Sequence, residues 1–183
     1  YAAAAARLGA RIDSGLGVSA LNYEQGVWRV YFSDGSECRA RTLAITAGAW
    51  SGRVAAMAGI SLPVSPVALT MTTTVRTQPM ISHLIQHAGR RLSLKQTGDG
   101  NILIGGGWPA RLRHTEGVID LDRRPELLLN SLTGNMSAAL AVVPELKKVS
   151  ILRVWTGTTA LVSDQLPLLG ELPKSHGIYI ATG

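Results

Sequence analysis

The sequence predicts an α/β (α+β) fold in which a region of strands and helices is interrupted by an antiparallel sheet with a covering helix. Residues 43–47 are almost wholly apolar without polar alternation, which is typical of a strand buried in a parallel sheet. Residues 68–77, "ALTMTTTVRT", alternate as a long strand, and residues 122–146 place apolar side chains at helix spacing. We therefore expect an α/β region, an inserted antiparallel unit and a return to the first region.

The first part of the chain predicts a short helix followed by an antiparallel meander. "YAAAAARLGA" is typical of a helix that ends at Gly9 as its C-cap. Residues 11–20, "RIDSGLGVSA", have the G-x-G-x-x-A spacing of a dinucleotide-binding turn, but that turn requires a helix after it. Residues 21–36 instead predict strands with a hairpin turn at Asp34-Gly35. We interpret the glycines of residues 11–20 as a bend between the helix and the meander.

The remaining elements follow from local patterns. A helix is expected over residues 51–58, and Pro63 and Pro66 mark a linker. Residues 91–107 predict two strands around an Asp99-Gly100 turn. A final strand is expected over residues 178–181. The helix in residues 122–146 is expected to bury one apolar stripe, formed by Leu128, Leu132, Met136, Ala139, Leu140 and Val143.

Composition excludes several classes of protein. With 183 residues, 46% hydrophobic and 16% charged, the chain is globular rather than disordered. The net charge is +6, but the basic residues are scattered, and the largest excess is five basic residues against one acidic residue over residues 84–114. The single cysteine, Cys38, excludes an internal disulfide and a cysteine-based zinc site. No apolar run approaches the ~20 residues of a membrane span.

Four blocks in order carry a resemblance to a known family. They are "LAITAGAWS", "LSLKQTGDGNILIGG", "LRVWTGTTALVSDQLPLLG" and "GIYIATG". Together they resemble the FAD-dependent D-amino-acid oxidase family, which includes glycine oxidase, sarcosine oxidase and dehydrogenase, and opine and D-amino-acid dehydrogenases. The resemblance implies a partial, Rossmann-like FAD-binding domain in residues 1–65 and 154–183. It implies a substrate-binding domain, an antiparallel sheet with a covering helix, in residues 66–153.

The resemblance also implies which residues contact FAD. Val18 matches a valine whose backbone contacts the adenine. Ala47 and Gly48 match small residues near the phosphates and ribose, and Trp50 matches an aromatic residue after that turn, with a core position under the helix as its alternative. Gly183 lies where a glycine-rich helix start follows in the family. Both ends of the chain are expected to be internal to a longer protein, and we expect this fragment alone to bind FAD weakly and to be inactive.

The substrate side departs from the family. The arginine that holds the substrate carboxylate in amino-acid-oxidising members corresponds to Thr159 here. Arg153 and Lys95 are the expected substrate-binding cations, with Arg76 as a further candidate. The lysine that promotes the oxygen reaction in the sarcosine-oxidase branch corresponds to Leu103, which favours a dehydrogenase with another electron acceptor.

The reaction implied by the resemblance is oxidation of the C–N bond of an amino acid or secondary amine by hydride transfer to flavin N5, which gives an imine. No side chain in this chain is expected to act as a catalytic acid or base. The expected partners are a small amine or amino-acid substrate and an electron acceptor or partner subunit, without nucleic acid. The expected location is cytoplasmic, with peripheral membrane association left open.

Two alternatives remain at the level of the sequence. A non-catalytic basic domain that binds an anionic partner such as nucleic acid is the alternative function. His83 and His87 lie four residues apart and could share a helix face as zinc ligands, but no third ligand is evident, so no metal site is predicted.

Overall fold

The structure is a computed structural model that describes all 183 residues. In chain order its helices and strands are α1 (Ala2–Arg7), β1 (Val18–Glu24), β2 (Val27–Phe32), β3 (Glu37–Ala40), β4 (Leu43–Ile45), α2 (Ser51–Met57), β5 (Ser65–Thr74), β6 (Ile85–His87), β7 (Leu92–Gln96), β8 (Ile102–Gly105), β9 (Arg113–Thr115), β10 (Val118–Asp120), α3 (Leu129–Val142), β11 (Ile151–Leu161), β12 (Leu168–Glu171) and β13 (Ile178–Thr182). None of the helices is long and apolar enough to span a bilayer.

The contacts of the chain separate into two compact units. Unit 1 comprises Tyr1–Val64 and Val162–Gly183, and unit 2 comprises Ser65–Leu161. The second boundary lies later than residue 153, because β11 pairs with β5 along its length and belongs to the same sheet. The roles of the two units in binding FAD and substrate stay predictions.

Unit 1 contains two small sheets. The strands β1, β2 and β3 form an antiparallel meander, as the sequence predicts, and β4 pairs in parallel with β13. β12 pairs antiparallel with the other side of β13. Side chains from both sheets and from α2 form one core, which contains Leu21, Trp28, Val30, Ile45, Ala55, Ile178 and Ile180.

No helix follows the glycines of residues 11–20. β1 begins at Val18 and contains Ala20, so the segment enters an antiparallel strand directly. A dinucleotide-binding turn needs a helix N-terminus at this point to direct amides at the phosphates. The interpretation of this segment as a bend between a helix and the meander is confirmed.

Unit 2 is built on a five-stranded antiparallel sheet in the order β11-β5-β8-β7-β6. The Asp99-Gly100 turn joins β7 to β8, as predicted. One face of the sheet packs on α3, and the core between them contains Leu92, Leu94, Ile102, Ile104, Ala138, Ala139 and Leu146.

The structure confirms part of the apolar stripe predicted for α3, but the helix begins later than predicted. The helix begins at Leu129, after a segment that a backbone pairing between Arg111 and Glu126 holds extended. Its buried residues are Ser131, Asn135, Ala138 and Ala139. Of the predicted stripe, Ala139 is buried and Met136 and Val143 pack against the core, whereas Leu140 is 40% exposed. Small side chains face the sheet because the helix approaches it closely: an added Cβ at Gly134 would lie 2.2 Å from the Trp108 ring.

Candidate cofactor and substrate sites

Three of the predicted cofactor-binding positions lie where the parallel strands β4 and β13 end. Ala47 and Gly48 come shortly after β4, and Gly183 directly follows β13. The Thr182 hydroxyl donates a hydrogen bond to the Gly48 carbonyl oxygen at 3.2 Å, which holds the two strand ends together. In open α/β sheets, ligands bind outside the carboxyl ends of the strands. A ligand is therefore expected at this end of the pair.

The backbone is open to close approach at Gly48 but not at Gly183. Gly48 has φ +53° and no atom within 4 Å of an added Cβ. Gly183 has φ +117°, and its added Cβ would lie 3.0 Å from the Pro167 Cα and 3.1 Å from the Leu166 carbonyl oxygen. A side chain at Gly48 would occupy free space beside the strand ends, whereas at Gly183 it would collide with unit 1 itself. Only Gly48 therefore leaves room for a ligand next to its backbone.

Val18 presents its backbone at the edge of the meander. The Ser33 amide donates to the Gly17 carbonyl oxygen, and the Gly17 amide donates to the Ser33 hydroxyl. The backbone polar groups of Gly17 are therefore directed at Ser33, which follows β2. Because the direction of N–H and C=O alternates along a strand, those of Val18 point away from β2. β1 is an edge strand of this sheet, so no strand pairs with that side.

Val18 and Ala47 border the same cleft. Its volume is about 300 Å³, and its lining is formed by Val18, Leu21, Val30, Leu43, Ala44, Ile45, Thr46, Ala47 and Val54. The lining is mostly apolar, and it includes Val18, whose N–H and C=O point away from β2. An apolar cleft with one backbone donor and one backbone acceptor fits a flat heteroaromatic ring with a polar edge, such as adenine.

Trp50 lies on the surface rather than in the core. Its side chain is 36% exposed, and the neighbouring Ala49, at 5%, takes the buried position instead. The alternative of a core tryptophan under the helix is therefore wrong. Ser51, the next residue, is fully buried, and its hydroxyl has no hydrogen-bond partner.

The expected substrate-binding residues lie on one face of the sheet of unit 2. Lys95 pairs with Leu103, Leu103 with Thr73, and Thr73 with Arg153. Directly opposed residues of antiparallel strands project to the same side, so these four form one row across β7, β8, β5 and β11. Thr159 lies six residues beyond Arg153 on β11 and shares this side.

We call this side the cationic face. It is opposite α3 and carries Lys95, Leu103, Thr73, Arg153, Met71, Trp155, Gly157 and Thr159. Lys95 and Arg153 are exposed, and neither forms a salt bridge. None of the eight residues of the cationic face carries a carboxylate.

Thr159 lies far along the sheet from the two cations, Lys95 and Arg153. Six residues of extended strand span about 20 Å, whereas three strand spacings separate Lys95 from Arg153 by about 14 Å. Arg153 therefore cannot place its guanidinium where an arginine at position 159 would. A second arginine that the sequence did not single out, Arg124, borders the same cavity as Arg153. No local motif marks Arg124, because its segment reaches β11 only through tertiary contacts.

The two groups with a shifted pKa lie in the meander, outside the lining of the cleft. The Glu37 carboxylate raises the pKa of Arg29, and hydrogen bonds from Ser36 lower the pKa of the Asp34 carboxyl. Both shifts arise from contacts within the β2–β3 hairpin and do not point to a functional site.

His83 and His87 do not share a helix face, as a zinc site formed by this pair would require. His87 ends strand β6 and His83 lies in the preceding loop, so no helix face joins them. The His83 ring contacts the Ser82 hydroxyl at 2.8 Å.

Comparison with known families identifies the chain. A sequence model of one family, abbreviated DAO and described as FAD dependent oxidoreductase, matches residues 1–183. The chain belongs to this family. The match confirms the resemblance drawn from the four sequence blocks, and it confirms FAD as the cofactor of the family.

Individual DAO-family proteins are similar over most of this chain. Hydrogen cyanide synthase subunit HcnC of Pseudomonas aeruginosa is 30% identical over 144 residues, which are 78% of this chain and 32% of that protein. Glycine oxidase of Pseudomonas putida is 26% identical over 139 residues, 76% of this chain and 35% of that protein. The chain thus spans about a third of the length of the curated relatives that it matches.

A solved DAO-family structure shows the same fold. L-proline dehydrogenase from P. horikoshii matches 100% of this chain and 47% of its own chain, with a TM-score of 0.83 and 24% identity. The predicted fold class, an α/β (α+β) fold with an inserted antiparallel sheet, is confirmed: the structure is mixed α/β with mostly antiparallel sheets and shares its fold with this enzyme.

Proposed function

We propose that the gene product containing this chain oxidises the C–N bond of an amino acid or secondary amine with FAD as its cofactor. The observation that carries the proposal is the match of residues 1–183 to a family of FAD-dependent oxidoreductases. Relatives named glycine oxidase and sarcosine oxidase subunit beta support an amine or amino acid as substrate. The same match favours this function over binding of an anionic macromolecule.

Unit 1 holds the cofactor in this proposal. The backbone of Val18 pairs with the polar edge of the adenine, and Ala47 and Gly48 leave space for the ribose and phosphates. Trp50 lies two residues after Gly48, and Gly183 follows Thr182, whose hydroxyl donates to the Gly48 carbonyl oxygen, so we expect both near the FAD. The FAD held by these residues would supply the hydride acceptor for oxidation of the carbon that carries the nitrogen.

Unit 2 orients the substrate. The cationic face offers Lys95 and Arg153 to a carboxylate, and the neutral Thr159 can add only a hydroxyl. Leu103, in the middle of the row, presents an apolar side chain. We propose on this basis an acceptor other than oxygen, so substrate oxidation should reduce an artificial dye and form little hydrogen peroxide.

A pair of variants at Val18 tests the cofactor site. Val18→Pro removes the backbone N–H, while Val18→Ala keeps it and only shortens the side chain. Proline is tolerated as the first residue of an edge strand whose N–H points outward, so both variants should fold. We expect Val18→Pro to weaken FAD binding by about 3- to 10-fold relative to Val18→Ala, the value of one hydrogen bond.

The measurement is a fluorescence titration of the gene product with FAD. Equal affinities of the two variants for FAD would show that the Val18 N–H does not contact the adenine. Activity is then measured with a panel of primary and secondary amino acids, with dye reduction and hydrogen peroxide followed in parallel. Flavin binding without oxidation of any amine or amino acid would refute the proposed function.

A further inference from the structure

A cavity of about 420 Å³ lies in unit 2, on the side of the sheet that α3 covers. The volume falls within the range of about 300–1,000 Å³ that is typical of small-molecule sites. Its lining is formed by Gly89, Arg90, Arg91, Trp108, Gly134, Ser137 and Ala138. These residues include one aromatic ring and two arginines but no carboxylate.

The apolar part of the cavity is formed where Trp108 meets α3. Carbon atoms of the Trp108 ring occupy the space that a side chain at position 134 would fill, so Gly134 allows the ring to lie against the helix. About one helical turn further on, Ala138 is buried, whereas Ser137 is exposed and carries a hydroxyl. An aromatic ring next to two small residues leaves room for a second flat ring.

The two arginines belong to the turn that precedes β7. Arg91 has the left-handed conformation, with φ +49°, and its amide donates a hydrogen bond to the Ala88 carbonyl oxygen at 3.0 Å. The next residue, Leu92, is buried in the core that α3 shares with the sheet. A left-handed residue other than glycine is strained, and such strain occurs most often at functional sites. The turn thus fixes Arg90 and Arg91 at the border of the cavity.

The charges of Arg90 and Arg91 are uncompensated. Both residues are exposed, and neither forms a salt bridge. Two adjacent like charges repel each other, and an anion that binds beside both of them relieves the repulsion. A guanidinium group presents a planar fork of donors that matches the two oxygens of a carboxylate.

We propose that this cavity binds a flat aromatic ring that carries a carboxylate. The ring packs on Trp108 beside Gly134 and Ala138, and Arg90 and Arg91 bind the carboxylate at the border. The site goes beyond the proposed function, because it lies on the α3 side of the sheet, opposite the cationic face. None of its lining residues is among those predicted to bind FAD or the amine substrate.

The test compares three probes in NMR titrations of the 183-residue chain: 2-naphthoate, acetate and 2-naphthalenemethanol. Acetate lacks the ring, and 2-naphthalenemethanol lacks the charge. The chain should bind 2-naphthoate at least about tenfold more tightly than either of the other probes, because ring packing and charge-assisted hydrogen bonds both contribute. The chemical-shift changes should fall on the Trp108 indole N–H and on the amides of residues 89–91 and 134–138.

Variants of the two arginines test the charged part of the site. Arg90→Gln and Arg91→Gln should each weaken the binding of 2-naphthoate by about threefold or more and leave that of 2-naphthalenemethanol unchanged. Arg123→Gln removes an exposed charge of the same unit that does not border the cavity, and it should bind 2-naphthoate as the wild type does.

Two further variants test the aromatic part. Trp108→Leu should abolish the preference for 2-naphthoate over acetate, but Trp108 also packs against the core. Ser137→Gln therefore provides a second variant, because it adds a larger side chain at the cavity from an exposed helical position and should weaken the binding of both aromatic probes.

Three results would overturn the proposal. They are equal affinities of the wild type for 2-naphthoate and acetate, 2-naphthoate binding that is unchanged in both glutamine variants of the arginines, and chemical-shift changes confined to residues outside the lining. Inorganic phosphate that binds as tightly as 2-naphthoate would overturn the assignment to an aromatic ligand.

Discussion

Substitution of Gly106 tests how tightly the sheet beneath the cationic face is packed. Gly106 follows β8 directly and has φ +123°. An added Cβ would lie 2.1 Å from the carbonyl oxygen of Arg91 and 2.5 Å from the Cα of Leu92, a core residue that is 2% exposed. These are backbone atoms, so relief of the collision requires β7 and β8 to move apart.

The neighbouring Gly107 provides a matched control. It also has a positive φ, +89°, but no atom lies within 4 Å of its added Cβ. A positive φ costs an alanine about 1–3 kcal/mol at either position. Overpacking adds about 1–3 kcal/mol at Gly106 alone. The Gly106→Ala variant should therefore be less stable than Gly107→Ala by about 1–3 kcal/mol.

The assay is thermal unfolding of both variants, followed by circular dichroism. In a chain of this length, 1 kcal/mol shifts the Tm by about 2–4 °C, so the two Tm values should differ by about 2–12 °C. Hydrogen exchange of the amides of β7 should show the same order, because the collision falls on that strand. Equal Tm values for the two variants would contradict the close approach of Gly106 to Arg91 and the strand register derived from it.

Two further predictions concern individual polar groups. Asn135→Ala should lower the free energy of unfolding by about 1–3 kcal/mol, because it leaves the Gly105 carbonyl oxygen, to which the buried amide donates at 2.9 Å, without a partner; Asn22→Ala, at an exposed site, should change it little in the same urea titration. The pKa of Asp34 should lie below its ordinary value and rise in Ser36→Ala, as followed by NMR titration. Because that pKa is lowered by folding, the stabilisation is present above the ordinary aspartate pKa and is lost as the pH falls through the lowered value. An unchanged Asp34 pKa in Ser36→Ala would contradict this account.

Local chemistry explains which parts of the fold could be predicted from the sequence. The Asp34-Gly35 and Asp99-Gly100 turns each place a glycine where φ is positive, +84° at Gly35 and +92° at Gly100, and each joins two strands. Such turns depend on two adjacent residues and are visible in any single sequence. The sequence also predicted a strand of a parallel sheet in residues 43–47, and residues 43–45 pair in parallel with β13. The expected burial on both faces is wrong, because Ala44 is exposed.

The packing of α3 could be predicted only in part. Helical periodicity identifies an apolar stripe, but it does not show how closely the helix approaches the sheet. Trp108 occupies the space beside Gly134, and Asn135 donates to the backbone of β8, so small and polar side chains face the sheet. Ala139, Met136 and Val143 of the predicted stripe still lie in or against the core, whereas Leu140 is exposed. The contacts that decide this orientation come from residues about 30 positions away in the chain.

The candidate substrate site depends on the pairing register of β7, β8, β5 and β11. This register also cannot be predicted from a single sequence. Lys95 and Arg153 are 58 positions apart in the chain, and only the pairings of four strands place them in one row. Within β11 itself, Arg153 lies about 20 Å from Thr159, because six residues of extended strand separate them. Replacement of a family arginine by Thr159 therefore cannot be compensated locally.

The glycines of residues 11–20 act through the backbone of the next strand rather than as a phosphate-binding turn. Gly17 directs both its amide and its carbonyl at Ser33, and this anchors the start of the meander. Alternation along the strand then turns the N–H and C=O of Val18 to the open edge, beside the cleft that Ala47 also borders. A side chain at Gly17 would contact the Ser33 side chain at 3.8 Å without a collision, so the pairing does not itself require glycine. Gly17→Ala should therefore keep Val18 in place and preserve FAD binding, whereas loss of glycine in a true phosphate-binding turn would abolish it.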